Sequence, residues 1–259
     1  MDELEYKNFY DRVGEMNGWD FSTVKTVTEG EAWNFYDVVS ERCKGSEVLL
    51  DIGTGGGEAL LSAASSVLFA VGIDASAGMI QTATRNLRER GVTNIRFLRM
   101  DAEQLQFPGE FFDIVSCRQA PFAADEVFRV LREEGVFLTQ QVCEGDKLNL
   151  KKAFGRGQAF GVPDGTLKAK YVAELEDAGF TDIQTFECDA AEYYETYEDL
   201  VFLLKYTPII PDFGQVEGDF EIFKQFIDEH RTSKGIRTNS KRFMVIAKKK
   251  DLNRKSGKT

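Results

Sequence analysis

Four of the five residues from Gly53 to Gly57 are glycine, in the stretch V-L-L-D-I-G-T-G-G-G-E-A at 48–59, directly after an apolar run. Such a turn lets main chain approach a ligand closely. Two carboxylates flank it, Asp51 before and Glu58 after. The dinucleotide pattern G-x-G-x-x-G needs a third glycine five residues after the first, but Gly53 leads to Glu58 and Gly55 to Leu60. No G-K-[ST] follows, so the turn is not a P-loop either. What stands there is D-x-G-x-G-x-G: Asp51, Gly53, Gly55 and Gly57, with Thr54 inside the turn.

Charge decides between ligands. A helix N-terminus favours anions, yet two unit charges ~4 Å apart repel by ~4 kcal/mol at an effective dielectric of 20, which penalises a pyrophosphate beside Asp51 and Glu58. The same carboxylates suit a cation. S-adenosylmethionine, with a sulfonium, an ammonium and no phosphate, meets that requirement. Asp74, in V-G-I-D-A-S about twenty residues on, is placed to accept ribose hydroxyl protons, with Ala75 beside it. Ser76 is a helix N-cap, and Met79 in the following turn can lie against an adenine face. Asp101 and Ala102, in R-M-D-A-E, come after a third strand, where Asp101 can accept the adenine amino group. Singly, each acid reads as a solvent-facing turn residue. Three acids ending three successive strands beside a glycine turn read together as a nucleoside site.

These residues need a frame to hold them. Val48–Ile52, Val67–Ile73, Ile95–Arg99, Phe112–Cys117 and Val136–Val142 are near-continuous apolar runs, the pattern of strands covered on both faces. Helical segments near Ala59–Ser65, Ser76–Arg90 and Ala124–Leu131 alternate with them, and Gly91 ends the second. A helix over Thr166–Ala178 then precedes strands at Ile183–Cys188 and Phe243–Lys248. The expectation is a doubly wound, Rossmann-like α/β fold: seven mostly parallel strands, the last antiparallel, with helices on both faces. Residues 1–46 form an N-terminal helical cap segment, 47–250 the ligand-binding domain with a helical substrate cap inserted at 191–240, and 251–259 a basic tail. Ligands of open α/β sheets bind at the strand carboxyl ends, where both cap segments would sit.

The chain resembles the class I S-adenosylmethionine-dependent methyltransferases, in the branch of small-molecule enzymes similar to the ubiquinone and menaquinone C-methyltransferases. V-L-L-D-I-G-T-G-G-G, V-G-I-D-A-S-A-G-M-I, M-D-A-E-Q-L-Q-F, F-F-D-I-V-S-C-R and D-E-V-F-R-V-L-R-E-E-G-V-F-L carry the resemblance, over about Glu47–Gln141. It implies that Gly53, Gly55 and Gly57 approach the methionine portion of the cofactor. It further implies that Asp51 bonds its ammonium, Asp74 its ribose and Asp101 its adenine, and that main chain at Cys117, Arg118 and Gln119 closes the pocket. The loop after C-R lacks the paired histidines of many related enzymes and reads C-R-Q-A-P-F-A-A-D-E.

The sole histidine, His230, stands in a charged segment, so neither a His-cluster metal site nor imidazole catalysis is expected. Methyl transfer from a sulfonium needs a base only when the acceptor must lose a proton, and no catalytic residue is assigned. Speculative acceptor contacts are Tyr10, Trp19, Arg156 and Tyr194, with Arg118 and Arg156 suited to an anionic group and L-K-K-A-F-G-R-G-Q-A-F-G a candidate substrate loop. The partner expected is a small-molecule methyl acceptor, in a cytoplasmic protein without membrane spans. A formal net charge of −11 argues against tracking nucleic acid, although the tail from Lys248 carries +5 locally. An RNA or protein methyltransferase, or a cofactor-binding protein without turnover, remain the other readings.

Overall fold

The computed structural model describes residues 23–250. Tyr10, Trp19 and the basic tail at 251–259 lie outside the described residues.

The apolar runs become one sheet. Its strands are β1 (Thr26–Glu29), β2 (Val48–Ile52), β3 (Phe69–Asp74), β4 (Ile95–Arg99), β5 (Phe112–Arg118), β6 (Leu131–Val142), β7 (Thr181–Tyr194), β8 (Arg231–Thr232) and β9 (Gly235–Lys248). The order across it is β1-β7-β9-β6-β5-β2-β3-β4, with β8 paired to β9. Strands β4, β3, β2, β5 and β6 run parallel, and β9 is antiparallel between β6 and β7. Strand order reverses between β2 and β5, and a crevice opens there at the carboxyl ends. The seven expected strands, the antiparallel last one among them, are all present. Two further strands, β1 and β8, enlarge the sheet.

Eight α-helices, with one short 3-10 helix at Ala64–Ser66, complete the described chain: α1 (Phe35–Ser40), α2 (Glu58–Ser62), α3 (Ala77–Arg90), α4 (Ala124–Val130), α5 (Leu148–Phe154), α6 (Thr166–Asp177), α7 (Tyr197–Tyr206) and α8 (Asp219–His230). Ser76 caps α3 by accepting the Met79 N–H at 3.2 Å, and Gly91 ends it in the left-handed region at φ 63°. The sheet is covered on both faces. One cluster joins Leu50, Val115 and Phe137 to Leu175 of α6; the other joins Leu49, Ile114 and Leu138 to Phe35 and Val39 of α1. No helix among the described residues is long and apolar enough to cross a membrane.

The structure departs from expectation at three places. The described part of the first 46 residues contains a strand, β1, zipped onto the edge of β7, as well as the short helix α1. Strands β7 and β9 each run for 14 residues and pair as far as Tyr194↔Ile236, so both ends of the expected helical insertion are β-structure. The polar run R-T-N-S-K-R carries no apolar alternation to betray this, because cross-strand pairing rather than burial holds it. The first half of the candidate substrate loop is α5, ended by left-handed Gly155.

Candidate active site

The glycine turn links β2 to α2, and its left-handed residues Gly53, Gly55 and Gly57 have φ of 69°, 58° and 77°. Sterics assign two of them a partner within the protein. A Cβ on Gly53 would stand 2.2 Å from the Ala120 Cβ, in the loop after β5. One on Gly57 would stand 2.4 Å from the Phe97 ring, which reaches across from β4 and also bars a side chain at Gly72. The turn is therefore drawn tightly against the sheet. Thr54 is buried, its N–H donating to Ile73 O at 2.9 Å.

Asp51 ends up wholly buried. Its carboxylate accepts the Ser116 hydroxyl at 2.7 Å and the Tyr36 hydroxyl at 3.1 Å to each oxygen. The Arg118 guanidinium lies over the Tyr36 ring, 5.2 Å from its centre. Burial pushes the Asp51 carboxyl above its ordinary value, and the hydrogen bonds and the Arg118 charge offset only part of that. Burial and the facing Asp51 together drive the Tyr36 phenol well up, so it remains a donor. Glu58 turns back over the loop, where the Asn86 amide bonds both its Oε1 at 3.0 Å and Gly56 O at 2.9 Å.

Asp74 closes β3 and spans the turn. Its Oδ2 accepts the Gly55 N–H at 3.0 Å and its Oδ1 the Ser76 N–H at 2.9 Å. Ala75 is exposed, Met79 is buried beneath the start of α3, and Ala102 packs on the core. Asp101 is exposed and accepts the Glu103 N–H at 2.9 Å. At the end of β5, Cys117 is buried, its thiol pushed up to about 12 by burial and Asp51. Gln119 adopts φ 57°, a left-handed conformation costly for a side chain other than glycine. Asp51, the turn, Asp74, Cys117, Arg118 and Gln119 thus gather at one crevice, and Asp101 follows the next strand.

Beyond Gln119 lies a cavity of about 450 Å³ between β6, α5, α6, β7, α7 and β9. Of the expected cofactor residues only Gln119 lines it, so it adjoins the glycine turn and does not contain it. Tyr194 lines it too, its hydroxyl donating to Glu192 at 2.6 Å. The second half of the candidate substrate loop contributes Gln158 and Ala159. Arg156 takes a different part: its guanidinium grips the buried Asp219 through two bonds of 3.0 Å, so it is committed to holding the chain after α5 against α8. His230 stacks on Phe226, 4.2 Å between ring centres, and does not line the cavity.

Sequence reasoning missed Tyr36, Ser116, Asn86 and Phe97, which reach Asp51 and the turn from other elements. It also missed a charged group at the cavity. Lys147, 2% exposed, donates to Glu192 at 2.5 Å, and Arg242 bonds Asp146. Lys151 donates to the carbonyls of Glu144 at 2.7 Å and Gln158 at 3.0 Å. Glu144 itself accepts the N–H groups of Gly165 and Leu167, at the start of α6.

Residues 49–135 match the model of a methyltransferase domain. Fold and matched domain are similar to those of the class I S-adenosylmethionine-dependent methyltransferases, whose cofactor is S-adenosylmethionine. Among relatives, the uncharacterised methyltransferase YcgJ of Bacillus subtilis is 37% identical over 121 residues, 44% of this chain and 47% of that protein. Its crystal structure superposes with a TM-score of 0.61 at 22% identity, covering 83% of this chain and 98% of the other. The aklanonic acid methyltransferase DauC of a Streptomyces species is 44% identical over 80 residues, 30% of this chain and 36% of that protein. The chain thus aligns with less than half the length of either curated relative. The [4+2]-cyclase SpnF shares the fold with a TM-score of 0.58 at 18% identity over 95% of both chains.

The crevice fits the cofactor of that class. Around the turn stand the carboxylates of Asp51, Glu58 and Asp74, and the turn itself carries no basic residue. That donor set favours a cation and disfavours a pyrophosphate.

Proposed function

We propose that this protein transfers the methyl group of S-adenosylmethionine to a small-molecule acceptor. One observation carries the reading: Asp74 bridges the glycine turn and the start of α3 through Gly55 and Ser76, beside the buried Asp51, at the point where strand order reverses. In this reading Gly53, Thr54, Gly55 and Gly57 lie along the methionine end, Asp51 sets the negative potential that holds the ammonium, and Asp74 with Ala75 takes the ribose. Met79, Asp101 and Ala102 border the adenine, and main chain at Cys117–Gln119 closes the pocket. When bound, the cofactor supplies an electrophilic methyl group on a sulfonium.

The chain's own part is to bind, align and exclude water, which supplies much of the rate in such a displacement. The cavity beyond Gln119 is the acceptor site in this reading. Gln119 stands where the two spaces meet, and its strained main chain suits a residue that must hold one position. The segment between β7 and β8 serves as the substrate cap, since Leu203, Pro208 and Ile209 form one wall of the cavity. A small acceptor is favoured by the volume, within the ~300–1,000 Å³ of small-molecule sites. The acidic balance of the chain disfavours a nucleic-acid substrate.

Calorimetric titration with S-adenosylmethionine tests the first half, and micromolar or tighter binding is expected. Absence of binding by both the cofactor and its demethylated product overturns the reading. Incubating small metabolites with the labelled cofactor and following methyl uptake tests the second half.

A further inference from the structure

The charged group at the cavity has hydrogen-bond donors left over in a way that points to a ligand. Lys147, Lys151 and Arg242 line the cavity with Glu144, Asp146 and Glu192, while Lys170 at its rim is exposed and paired with Glu174. Pairing accounts for much of this. Lys147 is held by Glu192 and Asp146, and Glu144 is spent on the first N–H groups of α6. Lys151 is different. It is 3% exposed, the hydrogen bonds of its ammonium among the described residues go to two main-chain carbonyls, and no described carboxylate comes within ion-pair distance. An ammonium has three donors, so one is left over. Arg242 uses Nη1 alone, for Asp146 and Lys241 O, which leaves Nε and Nη2 without a hydrogen bond among the described residues. A buried ammonium donor left unfilled is costly unless a ligand completes it, even with Asp146 and Glu144 nearby. The walls around these groups are apolar, formed by Val162, Leu167, Leu203, Pro208 and Ile209.

We infer that the cavity takes a largely apolar molecule bearing one carboxylate, with Lys151 and Arg242 as the groups that select it. One carboxylate, with two acceptor oxygens, can take up the donors that Lys151 and Arg242 leave unfilled. Because the carboxylate is anchored at the charged end, the rest of the molecule extends along the apolar walls toward Gln119. The inference rests on the methyltransferase reading for the ligand's role as acceptor, but not for its binding.

The test is calorimetry on the full chain with two matched pairs of probes, benzoate against benzamide and 2-naphthoate against 2-naphthamide. Each acid is expected to bind at least roughly tenfold more tightly than its amide, a difference of about 1.4 kcal/mol. That preference should vanish in Lys151→Met and fall in Arg242→Gln. Leu203→Trp, at a half-buried position on α7, fills the cavity without touching the charges and should abolish binding of both acids. It keeps the test valid if Lys151→Met does not fold. Acids that bind no better than amides, or a preference that survives these variants, overturn the inference. Titrating S-adenosylmethionine into the same samples separates the two readings. Cofactor binding without acid preference removes this inference alone, and acid preference without cofactor binding removes only the methyltransferase assignment.

Discussion

The hydroxyl of Tyr36 stands 3.1 Å from each carboxylate oxygen of Asp51, joining α1 to the end of the central strand β2. Removing it in Tyr36→Phe takes one hydroxyl donor from a buried carboxylate that keeps its bond from Ser116. A loss of about 1–3 kcal/mol of stability is expected, with weaker cofactor binding. Denaturant midpoints and a cofactor titration measure the two effects. An unchanged affinity would show that Asp51 needs no help from α1.

Asp51 also sets a pH dependence. A carboxyl whose pKa is raised on folding contributes stability below its unfolded pKa and loses that contribution as pH rises through the folded value. Burial raises Asp51 in this way. Asp51→Asn should therefore be more stable than the parent at neutral pH, and the gap should close as pH falls into the ordinary carboxylate range. Its cofactor affinity should drop. Unfolding curves from about pH 4 to about pH 8 give the answer. A deficit that grows toward neutral pH would refute the account.

Asp74→Ala should weaken S-adenosylmethionine binding by roughly tenfold or more, since hydrogen bonds to a charged group are worth about 1.5–3 kcal/mol. It also frees the Gly55 and Ser76 N–H groups. Asp74→Asn keeps an acceptor for them and should recover part of the stability but little of the affinity. Calorimetry on the pair distinguishes loop support from ligand contact.

The Gly57–Phe97 contact predicts a rescue. Gly57→Ala forces a side chain into a left-handed residue and onto the Phe97 ring. Overpacking of this kind costs about 1–3 kcal/mol, with backbone strain added. Adding Phe97→Leu should return the steric part, and a double-mutant cycle of unfolding energies reads the coupling. Strict additivity would mean that the ring is not what holds position 57 to glycine.

Arg156→Ala should cost about 1–3 kcal/mol without altering cofactor affinity, because it strands the buried Asp219. Burial alone would raise Asp219, but the Arg156 and main-chain hydrogen bonds hold it below its ordinary value. Its contribution is present above the unfolded pKa and fades as pH falls through the folded one. The stability difference between Arg156→Ala and the parent should accordingly shrink in acid. Selective loss of cofactor or acceptor binding would restore Arg156 to the site.

Why the sequence foretold some of this and not the rest follows from range. The glycine turn, Asp51, Asp74 and the Ser76 cap lie within thirty residues, and their spacing alone restricts what they can hold. The apolar runs exposed the parallel strands because burial on both faces leaves no polar alternation. Tyr36 reaches Asp51, Ser116 reaches Asp51 and Phe97 reaches Gly57 only after the sheet orders its strands, and nothing local marks them. Lys151 sits in the run that the sequence offers only as a candidate substrate loop. Its burial depends on β6, α6 and the chain after α7 converging, which no periodicity encodes. Arg156 shows the opposite case: a charge beside glycines looks available in the sequence, and its partner Asp219 becomes evident only in the fold.

One more property follows from the pairing of Tyr194 with Ile236. The chain between them leaves the sheet after Tyr194 and returns to it through β8 and the start of β9, so that Tyr194 and Ile236 face each other on adjacent strands. Length added to or removed from α7, α8 or their turns therefore has no leverage on the register of β7 and β9. One wall of the cavity comes from this excursion, while the glycine turn lies wholly outside it. Selection can thus reshape what the cavity admits while the machinery at β2 and β3 stays fixed, so diversification in this chain has a mechanically isolated place to occur.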